Sequence, residues 1–276
     1  MDIGKAIEKA KRLRREETPP PKTKGSGWVS PDYCQSTCME LDPKKVARNR
    51  CVCIFPDGPE IGAYKLLRTQ VQHRCRENGW NTLMITSVRP GEGKTLTSIN
   101  LALALAKELN QTTLLVDCDL KRQAVRRYLG LPSAKGLVNY LVDNQPLKDL
   151  IIWPGIQKLT VISGGKTVHG STELLGSPRM KALVAEMKAR YEDRFIVFDV
   201  PPILGEADAI AFAPLMDAIL IVVEASKTPL QAVGKALELI PNDKLLGFVL
   251  NRHKSPADTY YYNKSYYYRR SQASAA

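Results

Sequence analysis

The stretch SVRPGEGKT, from Ser87 to Thr95, decides the fold class because of the two segments that flank it. An apolar run over residues 83–88 leads into it, and an Ala- and Leu-rich segment with helical periodicity, residues 95–109, follows it. A glycine-rich turn between a buried strand and a helix is typical of a phosphate-binding loop, since its N–H groups and the positive helix end point at the anion. The strict G-x-x-x-x-G-K-[ST] pattern is not met, because Val88 stands where the first glycine would be.

The residues of this loop have separate expected roles. Gly91 and Gly93 allow the backbone to approach a phosphate closely, Lys94 is expected to reach the β- and γ-phosphates, and Thr95 is expected to bind Mg²⁺. Taken alone, the same letters also fit a turn without a ligand. The carboxylates farther along the chain favour the phosphate site.

Three aspartates end two later apolar runs. The segment LLVDCDLKR carries Asp117 and Asp119, and the segment FIVFDVPP carries Asp199. Doubly wound sheets bind ligands at the carboxyl ends of their strands, so we expect these acids beside the loop. Two acids two residues apart on a strand share a face and repel each other unless a cation lies between them. The alternative is a surface turn before the next helix; with the loop, the acids predict a Mg-nucleotide site.

The rest of the chain alternates between two patterns. Apolar runs that are short, rich in β-branched residues and hydrophobic at odd and even positions predict strands buried on both faces, at residues 83–88, 113–116, 159–162, 195–198, 218–223 and 245–250. Helical patterns cover residues 60–76, 95–109, 122–129, 178–191, 205–212 and 230–239. This alternation predicts an α/β fold, a parallel β-sheet with helices on both faces.

The composition combines an ordinary globular background with two anomalies. The chain has 276 residues, 44% of them hydrophobic and 25% charged, which excludes a fibrous or wholly disordered protein. The formal net charge is +12, and more than half of the 11 tyrosines lie near the C-terminus, at Tyr260, Tyr261, Tyr262, Tyr266, Tyr267 and Tyr268. A packed core has no use for aromatic residues there, so this cluster needs a chemical reason.

The sequence favours a cytoplasmic location. No apolar run reaches the ~20 residues that a membrane span requires, and the N-terminus lacks the apolar region of a secretory signal. The six cysteines are therefore expected to be thiols. A zinc site at Cys34, Cys38, Cys51 and Cys53 is not favoured, because the second spacing is tight and no histidine lies nearby.

Four regions are expected along the chain. Residues 1–17 form a basic amphipathic helix, which either docks a partner or anionic lipid or is simply solvated. Residues 18–58 form a Pro-, Lys- and Gly-rich linker and an irregular segment, residues 59–254 form the P-loop domain, and residues 255–276 form a flexible tyrosine-rich tail.

This combination of motifs resembles the bacterial protein-tyrosine kinases (BY-kinases) of capsule and exopolysaccharide assembly, in their free cytoplasmic catalytic form. PGEGKT resembles their Walker A motif, LLVDCDLKR their additional Walker A′ motif and IVFDVPP their Walker B motif. The segments AYKLLRTQV, STELLGSPRM and VLNR and the tyrosine cluster also resemble the family. The resemblance covers about residues 60–252 and the tail.

The resemblance implies transfer of the γ-phosphate of Mg-ATP to the tail tyrosines of another copy. It implies that ATP is bound by Pro90, Gly91, Glu92, Gly93, Lys94, Thr95, Leu96, Asn251 and Arg252, with Asn251 reading the adenine. It implies Mg²⁺ ligation by Thr95, Asp119 and Asp199, and catalysis by Lys94, Asp117, Asp119 and Asp199, with Asp117 accepting or orienting the tyrosine proton.

The resemblance also implies partners and has departures. The implied partners are a transmembrane polysaccharide co-polymerase or activator that recruits the chain to the inner face of the membrane, other copies of the chain and a cognate tyrosine phosphatase, with no nucleic acid. Val200 stands where the family usually has Thr, and Lys121 where an Arg is frequent. The E-x-x-R-x-x-R oligomerisation motif falls on Gly62, Lys65 and Arg68, which puts ring assembly in doubt.

Other classes of function remain open at this level. The chain is expected to have a deviant P-loop NTPase fold. A partition or spatial-regulation ATPase of the same deviant P-loop superfamily would bind DNA or membrane, but its signature Lys, five residues before the P-loop Lys, is Arg89 here. A non-catalytic regulator would bind nucleotide and dock a membrane partner through the N-terminal helix. A tail that mixes basic residues with tyrosines also suits stacking on single-stranded nucleic acid.

Overall fold

The computed structural model describes residues 37–131, 135–190 and 193–253. The N-terminal helix expected over residues 1–17 and the six tail tyrosines lie outside these residues.

An eight-stranded, mostly parallel sheet forms the centre of the described domain. Its strands are β1 (Thr37–Cys38), β2 (Thr82–Ser87), β3 (Thr112–Asp117), β4 (Ile151–Trp153), β5 (Leu159–Ile162), β6 (Arg194–Asp199), β7 (Ala218–Glu224) and β8 (Leu245–Asn251). Their spatial order is β1-β4-β5-β3-β6-β2-β7-β8, and the pair of β4 with β5 is antiparallel. The six predicted strands are confirmed, whereas the short strands β1 and β4 had no pattern that predicted them.

Nine α-helices are described around the sheet. They are α1 (Pro43–Arg48), α2 (Pro59–Glu77), α3 (Lys94–Leu105), α4 (Ala124–Leu129), α5 (Leu137–Asp143), α6 (Ser171–Leu175), α7 (Pro178–Arg190), α8 (Asp208–Phe212) and α9 (Leu230–Leu237). The six predicted helices are present with bounds shifted by a few residues, as α2, α3, α4, α7, α8 and α9.

Two apolar layers hold the helices on opposite faces of the sheet. Successive residues of a strand point to opposite faces, so Leu83 and Ile85 pack with α1 to α4, whereas Met84 packs with α5 to α9. Every residue of β2 and β3 is buried, as their two-sided hydrophobic pattern predicts. The parallel sheet with helices on both faces is confirmed.

The edge strand β8 departs from the expectation of burial on both faces. Phe248 is 44% exposed and Leu250 is 57% exposed, because no strand covers the outer edge of β8 in the described part of the chain and its two faces are only partly packed. An apolar sequence at the end of a sheet therefore looks the same as one at its centre.

The expectation of an irregular segment up to residue 58 is wrong over its described part. Asp42 caps α1 by accepting from the Lys44 N–H at 2.9 Å, and Pro43 takes the first position of the helix, where a missing N–H costs nothing. Val46, Cys51 and Cys53 are at most 1% exposed and pack on the same core layer as α3. This segment is part of the domain.

Candidate nucleotide site

The phosphate loop is held in a fixed shape by its neighbours. Gly91 and Gly93 have φ angles of 88° and 100°, a left-handed conformation that glycine adopts without strain. The Asn251 side chain donates to the Glu92 carbonyl at 2.8 Å, and a Cβ built on Gly93 would lie 2.1 Å from its Nδ2 atom. The buried carboxylate of Glu92 accepts from the Arg89 N–H at 2.8 Å, which closes the turn.

Lys94 opens α3, and its ammonium lies among carboxylates. Its Nζ atom is 2.8 Å from Oδ2 of Asp119 and 3.6 Å from Oδ2 of Asp199. Asp119 lies two residues after the end of β3, and Asp199 is the last residue of β6. The parallel sheet therefore brings both acids to the loop that follows β2. In the structure, the loop and these two acids therefore lie side by side, as the sequence predicts.

Asp199 is also the partner of two hydroxyls from α3. The Thr95 hydroxyl donates to its Oδ2 atom at 2.7 Å, and the Ser98 hydroxyl donates to its Oδ1 atom at 3.1 Å. Ser98 lies one helical turn after Lys94 and also donates to the Lys94 carbonyl at 2.9 Å. Sequence analysis did not include Ser98, although its spacing of three from Thr95 places both side chains on one face of α3.

Asp117 occupies a different environment from the one expected for a proton acceptor. Its side chain has no exposed surface, one oxygen accepts from the Asp119 N–H at 3.1 Å and the other from the Val125 N–H at 3.1 Å. Asp117 and Asp199 are cross-strand partners in β3 and β6. In this conformation Asp117 holds the turn between β3 and α4.

The protonation of the cluster reflects its burial. Burial raises the pKa of Asp117 well above its ordinary value, and the charge of Asp199 raises it further. Burial also raises the pKa of Asp199, against the opposing effect of the Lys94 charge. Burial lowers the pKa of Lys94, but the charges of Asp199 and Asp119 outweigh it and the net shift is upward. With one ammonium among three buried acids, ionisation of Asp117 and Asp199 is disfavoured, and a further cation would favour it.

A cleft of about 490 Å³ opens over the loop. Seven of the nine predicted ATP-binding residues line it: Gly91, Gly93, Lys94, Thr95, Leu96, Asn251 and Arg252. Pro90 is exposed outside the cleft lining, and Glu92 is buried behind the loop. No sequence pattern predicted a further set of lining residues, which are Asn49, Arg50, Arg122, Ala124, Arg127 and Tyr128.

Other predicted features lie apart from the cleft. Lys65 and Arg68, at the oligomerisation-motif positions on α2, contact the chain's own acids, Asp57 at 3.4 Å and Glu108 at 3.0 Å. Cys51 and Cys53 are buried free thiols, and burial raises their pKa values to about 12 and about 11. In the part of the chain that the structure describes, no helix combines the length and apolarity needed to cross a bilayer.

A phosphate loop, a carboxylate cluster at strand ends and a cleft above them define a P-loop NTPase. The family model described as "AAA domain" matches residues 81–245, more than half of the chain, and the chain belongs to that family.

Within this class the chain belongs to the bacterial tyrosine-protein kinases. Tyrosine-protein kinase YwqD of Bacillus subtilis (strain 168) is 31% identical over 212 residues, which are 76% of this chain and 88% of that protein. Tyrosine-protein kinase CpsD of Streptococcus agalactiae is 34% identical over 200 residues, 71% of this chain and 85% of that protein. The crystal structure of the chimerical protein CapA2B2 superimposes with a TM-score of 0.67 at 26% identity, over 82% of this chain and 96% of that one. The prediction of a BY-kinase with a deviant P-loop fold is confirmed.

Proposed function

We propose that this kinase is an autokinase: it transfers the γ-phosphate of Mg-ATP to the C-terminal tyrosines of another copy and thereby regulates capsule or exopolysaccharide synthesis and export. The observation that carries the proposal is the meeting of Lys94, Thr95, Asp119 and Asp199 at one edge of the sheet. Phosphoryl transfer depends on charge neutralisation and alignment, and these groups supply both.

The donor set fits Mg²⁺. Thr95, Asp119 and Asp199 offer only oxygen atoms, which Mg²⁺ prefers, and the single Lys94 ammonium offsets only one of the two carboxylate charges. Lys94 already lies between the two carboxylates, so the cluster attracts a cation. Bound there, Mg²⁺ would neutralise charge on the β- and γ-phosphates.

The chain's own residues then have distinct roles. The amides of residues 91–95 bind phosphate oxygens at the positive end of α3, and Lys94 turns from the carboxylates to the phosphates. Asp119 lines the cleft, whereas Asp117 is buried, so Asp117 acts on the acceptor tyrosine only if the turn after β3 rearranges when substrates bind. We therefore propose Asp119 as a second candidate for orienting the tyrosine hydroxyl, beside Asp117.

In this proposal, phosphorylation regulates the kinase by changing the charge of its tail. Each phosphate adds roughly −1.5 to −2 charges, so several on Tyr260 to Tyr262 and Tyr266 to Tyr268 would reverse the sign of a tail that carries Lys264, Arg269 and Arg270. Repulsion between modified tails would weaken docking between copies. A transmembrane co-polymerase or activator would recruit the chain to the inner face of the membrane, and a tyrosine phosphatase would reset it.

Mass spectrometry after incubation with Mg-ATP tests the proposal. The wild type and Lys166→Met, a substitution in an exposed ion pair with Asp143 at 2.8 Å, should both carry phosphotyrosine on the tail. Lys94→Met and a chain truncated after Asp258 should carry none there. A mixture of Lys94→Met with the truncated chain distinguishes transfer within one chain from transfer between copies. Phosphate on the tail of Lys94→Met requires transfer from the truncated chain, which is a different copy.

Two outcomes would contradict the proposal. The absence of phosphotyrosine from the wild type, with and without a membrane activator encoded nearby, would reject autophosphorylation. Strong stimulation of ATP hydrolysis by DNA would instead support a partition-type ATPase.

Light scattering of the unphosphorylated chain tests docking between copies, and a strictly monomeric chain at high concentration would argue against such docking.

A further inference from the structure

Two lining residues of the nucleotide cleft, Asn49 and Arg50, come from a segment that precedes the predicted kinase domain. Both residues lie in the turn that joins helix α1, which ends at Arg48, to the 3₁₀ turn Val52–Ile54. This segment lies outside residues 81–245, which the AAA family model matches. The phosphate loop thus belongs to the common domain, whereas the turn with Asn49 and Arg50 is an addition to it.

One buried side-chain amide connects the turn after α1 to α3, the helix that follows the phosphate loop. The Asn100 side chain, with no exposed surface, lies on α3 and accepts from the Cys53 N–H at 3.0 Å. Its Nδ2 atom donates to the Arg50 carbonyl at 3.1 Å and to the Leu96 carbonyl at 3.0 Å. Because Leu96 itself lines the cleft, Asn100 fixes the backbone of Arg50 relative to the first turn after the phosphate loop.

Further contacts fix the backbone on the other side. The Asn49 side chain donates to the Tyr128 carbonyl at the end of α4, at 2.8 Å. Arg50 has a φ angle of 62°, in the left-handed region that favours glycine after a helix. Its N–H donates to the Ala47 carbonyl at 2.8 Å, which holds this conformation. An arginine thus occupies a position where the backbone alone would prefer glycine, and this arginine lines the cleft.

The charge of Arg50 has no counterpart among the residues that the structure describes. Its guanidinium makes no hydrogen bond or ion pair there, and the same is true of the neighbouring Arg122 side chain. Asp119 is the carboxylate in the cleft lining, and it is already paired with Lys94. A planar cation with free N–H groups, in the same cleft as a phosphate loop, suits a polyphosphate.

We propose that Arg50 is a substrate-binding residue of the kinase, whose guanidinium contacts the polyphosphate of the nucleotide bound in this cleft. The inference rests on the proposed function, since it assumes that ATP occupies this cleft. Asn100 acts as a positioning residue, because it reaches the nucleotide only through Arg50 and the first turn of α3.

Titration of the full-length chain with the fluorescent nucleotide mant-ADP, in the presence of Mg²⁺, tests the assignment. Arg50→Gly removes the charge and suits the φ angle of 62°, so the fold should be retained, as a melting temperature within a degree or two of wild type would show. Loss of a charge-assisted bond to phosphate should raise the Kd about tenfold or more. Arg50→Lys should recover part of the loss, and inorganic tripolyphosphate should compete less well against Arg50→Gly.

Arg48→Ala is the matched control, because Arg48 is an exposed arginine two residues away that does not line the cleft. Equal affinities of Arg50→Gly and Arg48→Ala would overturn the assignment. A weakened Arg50→Gly variant that also melts several degrees lower, and that lysine does not rescue, would overturn it as well, since the loss would then come from the fold. A wild type that binds no mant-ADP would reject the proposed function itself.

Discussion

Replacing Lys94 by Met should destabilise the protein even without nucleotide. The ammonium lies 2.8 Å from Asp119 and 3.6 Å from Asp199, and all three side chains are at most 9% exposed. At an effective dielectric constant of about 20, each contact contributes roughly 5 kcal/mol of attraction, which is opposed by the cost of burying the charges. Removing one partner of such a group typically costs about 3–5 kcal/mol, because the remaining charges stay buried and unpaired.

The loss should depend on pH in a stated direction. Burial raises the folded-state pKa of Asp199 and the Lys94 charge opposes this shift, so without the ammonium that pKa rises further above the value of about 3.9 expected in the unfolded chain. A carboxyl whose folded pKa is raised stabilises the fold below its unfolded pKa, and this contribution is lost as the pH rises through the folded pKa. The difference between Lys94→Met and wild type should therefore be larger at pH 8 than at about pH 4, near the unfolded-state pKa.

Urea denaturation followed by circular dichroism, without divalent metal or nucleotide, measures both effects. The midpoint of Lys94→Met should fall by about 1 M urea or more at pH 8. Lys166→Met removes a lysine from a 2.8 Å pair with Asp143, but that pair is solvated and should change the midpoint little. Equal midpoints for the two variants, or a Lys94→Met loss that does not vary with pH, would refute the description of a dry carboxylate cluster.

Two further predictions concern the phosphate loop and the acid limb of stability. Gly93→Ala should abolish mant-ADP binding, because its Cβ would lie 2.1 Å from Nδ2 of Asn251 at a φ of 100°. Gly62→Ala, with nothing within 4 Å of its Cβ, should leave binding intact and stabilise α2 by roughly 0.5–1 kcal/mol in thermal unfolding. Burial raises the pKa of Asp217, but Lys188 and nearby donors outweigh it and the pKa is lowered. The stabilisation by Asp217 is therefore lost as the pH falls through its folded pKa, and Asp217→Asn should flatten acid denaturation between pH 5 and 2.

Hydrophobic patterning was sufficient for the centre of the sheet. Strands such as β2 and β6 are apolar at successive positions because helices cover both faces, and that requirement is visible in the letters alone. The carboxyl ends of parallel strands meet at one edge, so the meeting of Asp119 and Asp199 with the loop followed from the fold class.

Short elements, and contacts between residues far apart in the chain, could not be predicted from the sequence. Strands β1 and β4 have two and three residues, too few to establish any period, and β4 reverses the parallel pattern. Helix α1 did carry a signal, an Asp-Pro pair that caps and starts it, but the prolines around it favoured an irregular segment. The placement of Arg50 in the cleft depends on Asn100, 50 residues away in the chain, which no local pattern reveals.

Lys94 links the two halves of the site through a competition for its charge. Its ammonium neutralises Asp119 and Asp199 in this structure, whereas under the proposed function the phosphates of ATP draw on the same ammonium. A phosphate-bound Lys94 leaves the two carboxylates without their cation, which strengthens their attraction for a divalent ion. Because such coupling is reciprocal, a cation on the carboxylates equally releases Lys94 toward the phosphates. Nucleotide and metal should thus each raise the affinity for the other through the ammonium, in addition to their direct contact.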